Sequence, residues 1–218
     1  MARLIVGTMD NNSYILTANS DPTSNALVID PTDADEVLAA LGEHPLIAII
    51  LTHRHYDHVA GLPKLVQETG ADVFIHSQDA FAVEDGQKSG FDGSDIPGVA
   101  ITKYLEDADE FAFGDSSLHV IHTPGHTQGS ICLYLPGTYD LDDNTIDSPF
   151  LFSGDTLFRG TIGRTDFEGG NPQQMKESLA RLGELPSDTV VCPGHYDLTT
   201  IGDERERTIE AYQKKVML

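Results

Sequence analysis

A chain of 218 residues is long enough to bury one sizeable core within a single domain. Its 35 acidic against 13 basic residues leave a net charge of −22, which argues against a nucleic-acid-binding surface and favours solubility. No stretch is apolar and long enough to span a membrane, and Met1–Gly7 lacks the apolar region of a signal peptide, so the cytoplasm is the expected compartment.

The elements alternate along the chain. A hairpin is predicted around residues 11–19 and 26–29, followed past Asp30-Pro31 by a short helix near 33–41. The spacing from Asp33 to Glu36 resembles an N-terminal capping signal. An apolar strand, residues 46–51, leads into Thr52-His53-Arg54-His55-Tyr56-Asp57-His58, where a strand-to-helix turn is expected before a helix from about Val59 onward. A helix near 62–69 and a strand at 73–76 follow. Residues 86–98, rich in Gly, Ser and Asp, read as a mobile loop or lid beside the site. In the second half, strands end at Ile121, Phe152 and Cys192, and the acidic insertion 139–148 reads as a solvated hairpin tip. Helices near 173–182 and 204–216 close the chain. No low-complexity linker interrupts it, so residues 1–218 are expected to form one domain. Cys132 and Cys192 fall in apolar strand contexts and read as reduced core residues.

Four metal-capable side chains, His53, His55, Asp57 and His58, stand within six consecutive positions. In an extended segment His53 and His55 share a face and can grip one ion, while the following turn redirects Asp57 and His58 toward a second point. His126, Asp155 and His195 each follow a predicted strand, and each is preceded by a glycine that permits a tight or positive-φ turn. Seven ligands are too many for one tetrahedral ion and suit two ions sharing a bridging carboxylate. Imidazole with carboxylate favours zinc, with iron and manganese as alternatives. Among the other histidines, His44 reads as a surface or capping residue, His76 as hydrogen-bonded structure and His119 as solvent-exposed. His122 reads as structural in preference to a role supporting His126. Arg164, in Gly163-Arg164-Thr165-Asp166, is placed either to bind a substrate carboxylate or to brace its loop against Asp166.

The ordered set His53-x-His55-x-Asp57-His58, His126, Asp155 and His195 resembles the metallo-β-lactamase superfamily over nearly the whole chain. Gly154–Phe158, Gly163–Asp166, Pro193–His195 and Thr199–Arg205 narrow the likeness to glyoxalase II-like (hydroxyacylglutathione hydrolase-like) enzymes of the short bacterial type. The resemblance implies an αββα sandwich of two mixed β-sheets flanked by helices, with the site in a groove at one edge. It implies that His53, His55 and His126 hold one divalent ion, that Asp57, His58 and His195 hold the other, and that Asp155 bridges them. It implies hydrolysis of a small-molecule 2-hydroxyacyl thioester such as S-lactoylglutathione by a metal-bridging hydroxide, with Asp57 helping to orient it. Longer glyoxalase II enzymes carry an additional C-terminal helical domain whose basic residues hold glutathione. Here Lys214 and Lys215 form the only basic pair near the end, which leaves the thiol open. The competing expectations are a persulfide dioxygenase with one iron on His53, His126 and Asp155, another hydrolase such as a lactonase or β-lactamase, and a non-enzymatic binding module.

Overall fold

Strands that are apolar on both faces need cover on both sides, and this requirement sets the layering of the chain. The computed structural model describes all residues except 8–9, 20, 22, 87–95, 143 and 216–218. The segment expected to be a lid therefore lies largely outside the described residues, as does the last residue of the predicted C-terminal helix.

The first sheet holds six strands in chain order: β1 (Ala2–Val6), β2 (Asn11–Thr17), β3 (Ala26–Ile29), β4 (Leu46–Ile50), β5 (Asp72–His76) and β6 (Lys103–Leu105). It is mixed, antiparallel from β1 to β3 and parallel from β3 to β6. Its connections carry α1 (Ala34–Leu41), α2 (Tyr56–Val59), α3 (Leu62–Thr69) and α4 (Ser77–Glu84). Period-two alternation explains the packing. Ala26, Val28 and Ile49 face α1, α3 and α4, while Leu27, Ile29 and Ile50 face the second sheet.

The second half supplies β7 (Glu110–Phe113), β8 (Ser116–His122), β9 (Ile131–Leu135), β10 (Tyr139–Leu141), β11 (Asn144–Ile146) and β12 (Phe150–Gly154). It continues with β13 (Leu157–Phe158), β14 (Thr161–Ile162), α5 (Pro172–Leu182), β15 (Val190–Pro193) and β16 (Thr199–Thr200). The second large sheet runs β16-β15-β12-β9-β8-β7 and is mixed through its parallel β12–β15 pair. Phe150, Phe152 and Leu133 meet the first sheet, whereas Leu151, Cys132 and Val191 pack under Met175, Leu179 and Leu182 of α5. The result is the expected αββα sandwich of two mixed sheets flanked by helices. Cys132 and Cys192 are free, buried and in different cores.

Four local expectations take definite form. Asp33 does cap α1, its side chain accepting hydrogen bonds from the amides of Asp35 and Glu36. The turn expected at Asp57–His58 is the short helix α2; Gly61, just beyond it, packs so closely on the α1 entry that a Cβ there would lie 2.7 Å from Pro31 O and Ala34 N. The C-terminal helix starts earlier and is broken into α6 (Ile201–Glu204), a π-helical turn Arg205–Glu210 and α7 (Ala211–Lys215). The acidic insertion is the antiparallel β10–β11 hairpin. Among the described residues no helix is long and apolar enough to cross a membrane.

Candidate metal centre

Loops just beyond β4, β8, β12 and β15 deliver all seven predicted side chains to one edge of the sandwich. His55 Nδ1 and His126 Nε2 lie 2.8 Å apart, and the His53 ring centroid is 4.9 Å from that of His126. On the other side His58 Nε2 lies 3.3 Å from His195 Nε2, and His195 Nε2 lies 3.2 Å from Asp57 Oδ2. The ligand atoms of His53, His55 and His126 fall within 4.8 Å of one another, and so do those of Asp57, His58 and His195. Asp155 stands between the two sets, with Oδ1 3.3 Å from His58 and Oδ2 3.4 Å from His126 and 3.6 Å from His195. A carboxylate facing both groups is what a shared ligand requires.

Residues around these side chains set which nitrogen of each ring points inward. Asp30 Oδ2 accepts from Thr52 Oγ1 at 2.6 Å, so Thr52 can only accept from His53 Nδ1 at 3.1 Å. His53 Nε2 is thereby left as a buried lone pair with no hydrogen-bond partner. His126 Nδ1 donates to Arg164 O at 2.7 Å, and His58 Nδ1 donates to Asp30 Oδ2 at 3.0 Å, so their Nε2 atoms also turn toward the centre. Leaving such an acceptor buried and unmatched costs about 1–3 kcal/mol. A cation would relieve that cost, so the residues present fit a metal pair.

The electrostatics agree. Burial, reinforced by its histidine neighbours, holds His53 well below the ordinary imidazole range, and burial with His126 pushes His55 down to about 3. Both rings are neutral and can donate lone pairs. Burial opposes charge on His58, but Asp155, Asp57 and Asp30 outweigh it and raise the imidazole well above its usual value. A cation bound at this nitrogen would replace that proton, since a histidine ligand has to be deprotonated there. Burial likewise pushes Asp155 and Asp57 upward, yet the facing histidines prevail, bringing Asp155 to about 2 and Asp57 lower still.

The glycines before the ligands serve two different purposes. Gly154 has φ +47°, and a Cβ there would lie 2.4 Å from Thr52 Oγ1. Gly125 is also at positive φ, whereas Gly194 is not; its Cβ would instead strike His58 Cε1 at 2.5 Å.

Three residues essential to this geometry escaped the sequence reading. Asp30 has no role assigned from the sequence; it is buried, with φ +52°, and binds Thr52 and His58. Asn11 donates from Nδ2 to Asp57 Oδ2 at 3.0 Å. Asp79, buried in α4, accepts from Arg54 N, Thr127 Oγ1 and Gly129 N, tying the His55 loop to the His126 loop. An acidic residue directly after an apolar strand was the one available signal, for Asp30.

The remaining histidines are structural. His76 accepts from Gln78 N at the start of α4 and stacks on His122, centroids 4.0 Å apart. His122 Nε2 donates to Gln128 O, and His44 Nδ1 donates to Ser24 O. His119 is half-buried beside Glu110, and so less exposed than expected, because β7 pairs alongside it. Arg164 borders the cleft and donates from Nε and Nη2 to the two oxygens of Asp166, at 2.9 and 2.7 Å. Above the centre the cleft encloses about 520 Å³ and is walled by Phe158, Ile162, Phe167 and Tyr196.

The sequence model of the metallo-beta-lactamase superfamily matches residues 6–195. A hydroxyacylglutathione hydrolase of Pectobacterium carotovorum is 34% identical over 215 residues, covering 95% of this chain and 72% of the relative. Across five such hydrolases the chain spans 58% to 72% of the relative's length. Among solved structures, the BLEG-1 B3 metallo-beta-lactamase superposes with a TM-score of 0.80 at 30% identity, covering 94% of this chain and 95% of that one. TTHA1623 in a di-iron-bound form superposes with a TM-score of 0.75 at 30% identity, covering 94% and 98%.

Proposed function

The chain belongs to the metallo-beta-lactamase superfamily, and from that premise we propose that it is a hydrolase of 2-hydroxyacyl thioesters, the class to which S-lactoylglutathione belongs, with the thiol half left open by this reading. The observation that carries the reading is the completeness of both ligand sets around one shared carboxylate. His53, His55 and His126 would hold one divalent ion, Asp57, His58 and His195 the other, with Asp155 between them. Zinc is the first choice for the ions, with iron or manganese as alternatives. When bound, such a pair supplies Lewis-acid chemistry, polarising an acyl carbonyl and bringing the pKa of water to ~7 in zinc enzymes.

The chain's own residues do the rest. Asn11 fixes Asp57, whose carboxylate is a hydrogen-bond acceptor suited to orienting an attacking water. Asp30 fixes His58, and Thr52 fixes His53, so the centre is built before substrate arrives. Phe158, Ile162 and Phe167 restrict water around the reacting carbonyl. Asp57 and Asp155 face histidines as acceptors and are poorly placed to act as acids. A thiolate suits such a site because, with a thiol pKa of ~8.5, it departs without a strong proton donor. The net charge of −22 supports a small-molecule partner over nucleic acid.

A second reading rests on the contact between His126 Nε2 and Asp155 Oδ2 at 3.4 Å, with His53 alongside. Two histidines and one carboxylate also suit a mononuclear iron persulfide dioxygenase. Elemental analysis of protein purified without added metal, joined to thioester cleavage and persulfide-dependent oxygen uptake, separates the two. For the hydrolase, His58→Ala or His195→Ala lowers the thioesterase rate by ~10²-fold or more. Oxygen uptake that survives His195→Ala, without thioester cleavage, would establish the dioxygenase instead.

A further inference from the structure

The cleft carries an apolar wall that the ligand chemistry does not explain. Tyr196 is 60% exposed, yet its ring packs edge-on to Phe158 with centroids 5.4 Å apart. Its backbone sits at φ +67°, a left-handed conformation that costs a bulky residue about 1–2 kcal/mol. Two long-range hydrogen bonds hold it there: Arg3 Nη2 donates to Tyr196 O at 2.7 Å, and Asn12 Nδ2 donates to the same oxygen at 2.8 Å. Asn12 also donates from Nδ2 to Pro193 O, and from its amide to Gly194 O, which fixes the loop on both sides of His195. An aromatic ring strained into the mouth of a cleft and secured there is positioned to meet a ligand.

Nearby cations already have partners. Arg164 is paired with Asp166 and lies 4.1 Å over the Phe167 ring. Arg159, next to Phe158, lies 3.1 Å from Asp197. A substrate carboxylate would compete with Asp166 and Asp197 for these guanidinium groups, within a chain whose net charge of −22 already repels anions. An apolar group, by contrast, gains from burial against Phe158, Ile162, Phe167 and Tyr196 without displacing any ion.

Resting on the thioesterase reading, we infer that the thiol half of the substrate is uncharged and apolar, seated against Tyr196 and Phe167, and that Tyr196 is a specificity-determining residue. A thiol carrying carboxylates, as glutathione does, is the disfavoured partner. The test compares lactoyl thioesters of benzyl mercaptan and of glutathione on metal-loaded protein. The expected kcat/KM favours the benzyl thioester by about tenfold or more. In Tyr196→Ala the gap narrows, because KM rises more for the benzyl thioester than for the glutathione thioester.

A preference for the glutathione thioester overturns the inference and leaves the hydrolase reading intact. A benzyl preference that survives both Tyr196→Ala and Phe167→Ala overturns the proposed seat. Should neither thioester be cleaved, the hydrolase reading fails, and calorimetric titration with benzyl methyl sulfide and S-methylglutathione decides the subsite separately. Binding of the neutral thioether alone supports the inference. Binding of S-methylglutathione, or of neither, sinks it.

Discussion

Asp30 Oδ2 accepts a hydrogen bond from His58 Nδ1 at 3.0 Å, and this one contact orients the metal-facing nitrogen of His58. Both oxygens of Asp30 are engaged, with Oδ1 on Thr52 N and Oδ2 on Thr52 Oγ1 and His58. Asp30 is therefore a support for the centre and not a ligand, although it lies close enough to be mistaken for one.

Replacing Asp30 with Asn should weaken metal binding by ~10–100-fold, since an amide cannot accept from His58 and Thr52 together through the same atoms. Chelator competition on the purified variant measures this directly. Unchanged affinity for both ions would show that His58 is oriented by something else.

Asp155→Ala should disturb both metals at once, because Asp155 contacts His58 from one set and His126 from the other. Elemental analysis is expected to fall below two ions per chain. A full pair retained in this variant would defeat the bridging assignment.

Glu204 offers a stability prediction away from the cleft. It is fully buried and accepts from Thr199 Oγ1, Thr208 Oγ1, Gly160 N and the Arg207 guanidinium. Burial pushes its carboxyl upward, but these donors outweigh it and lower the folded pKa. Its stabilisation is thus complete above the unfolded value of about 4.3 and is lost as pH falls through the lower folded value. Glu204→Gln should cost about 1–3 kcal/mol at neutral pH. Denaturant melts should show the deficit shrinking below about pH 4. A deficit independent of pH would mean that the charge is not what these donors recognise.

The two cysteines should be chemically silent in the folded protein. Burial drives the Cys132 thiol up to about 11 and Cys192 higher still, and only thiolate reacts with alkylating agents. Iodoacetamide at pH 8 is expected to label neither until denaturant is added. Rapid labelling of native protein would contradict the burial of both side chains.

The seven ligand-type residues were legible before any coordinates because their signal is local. Spacing within Thr52–His58 follows from strand and turn geometry, and glycine before His126 and Asp155 marks positive-φ turns, whereas Gly194 is required by the close approach of His58. The sandwich was expected from the family likeness that these motifs carry; a continuous apolar run such as 26–29 by itself declares only that both faces must be covered. What tertiary structure alone decided is which polar groups meet across long stretches of chain. Asp30 finds His58 across 28 residues, Asp79 finds Thr127 across 48, and Tyr196 O finds Arg3 across 193. A hydrogen bond between distant residues depends on how whole loops are stacked, and residue type and spacing along the chain do not encode that stacking in any local form.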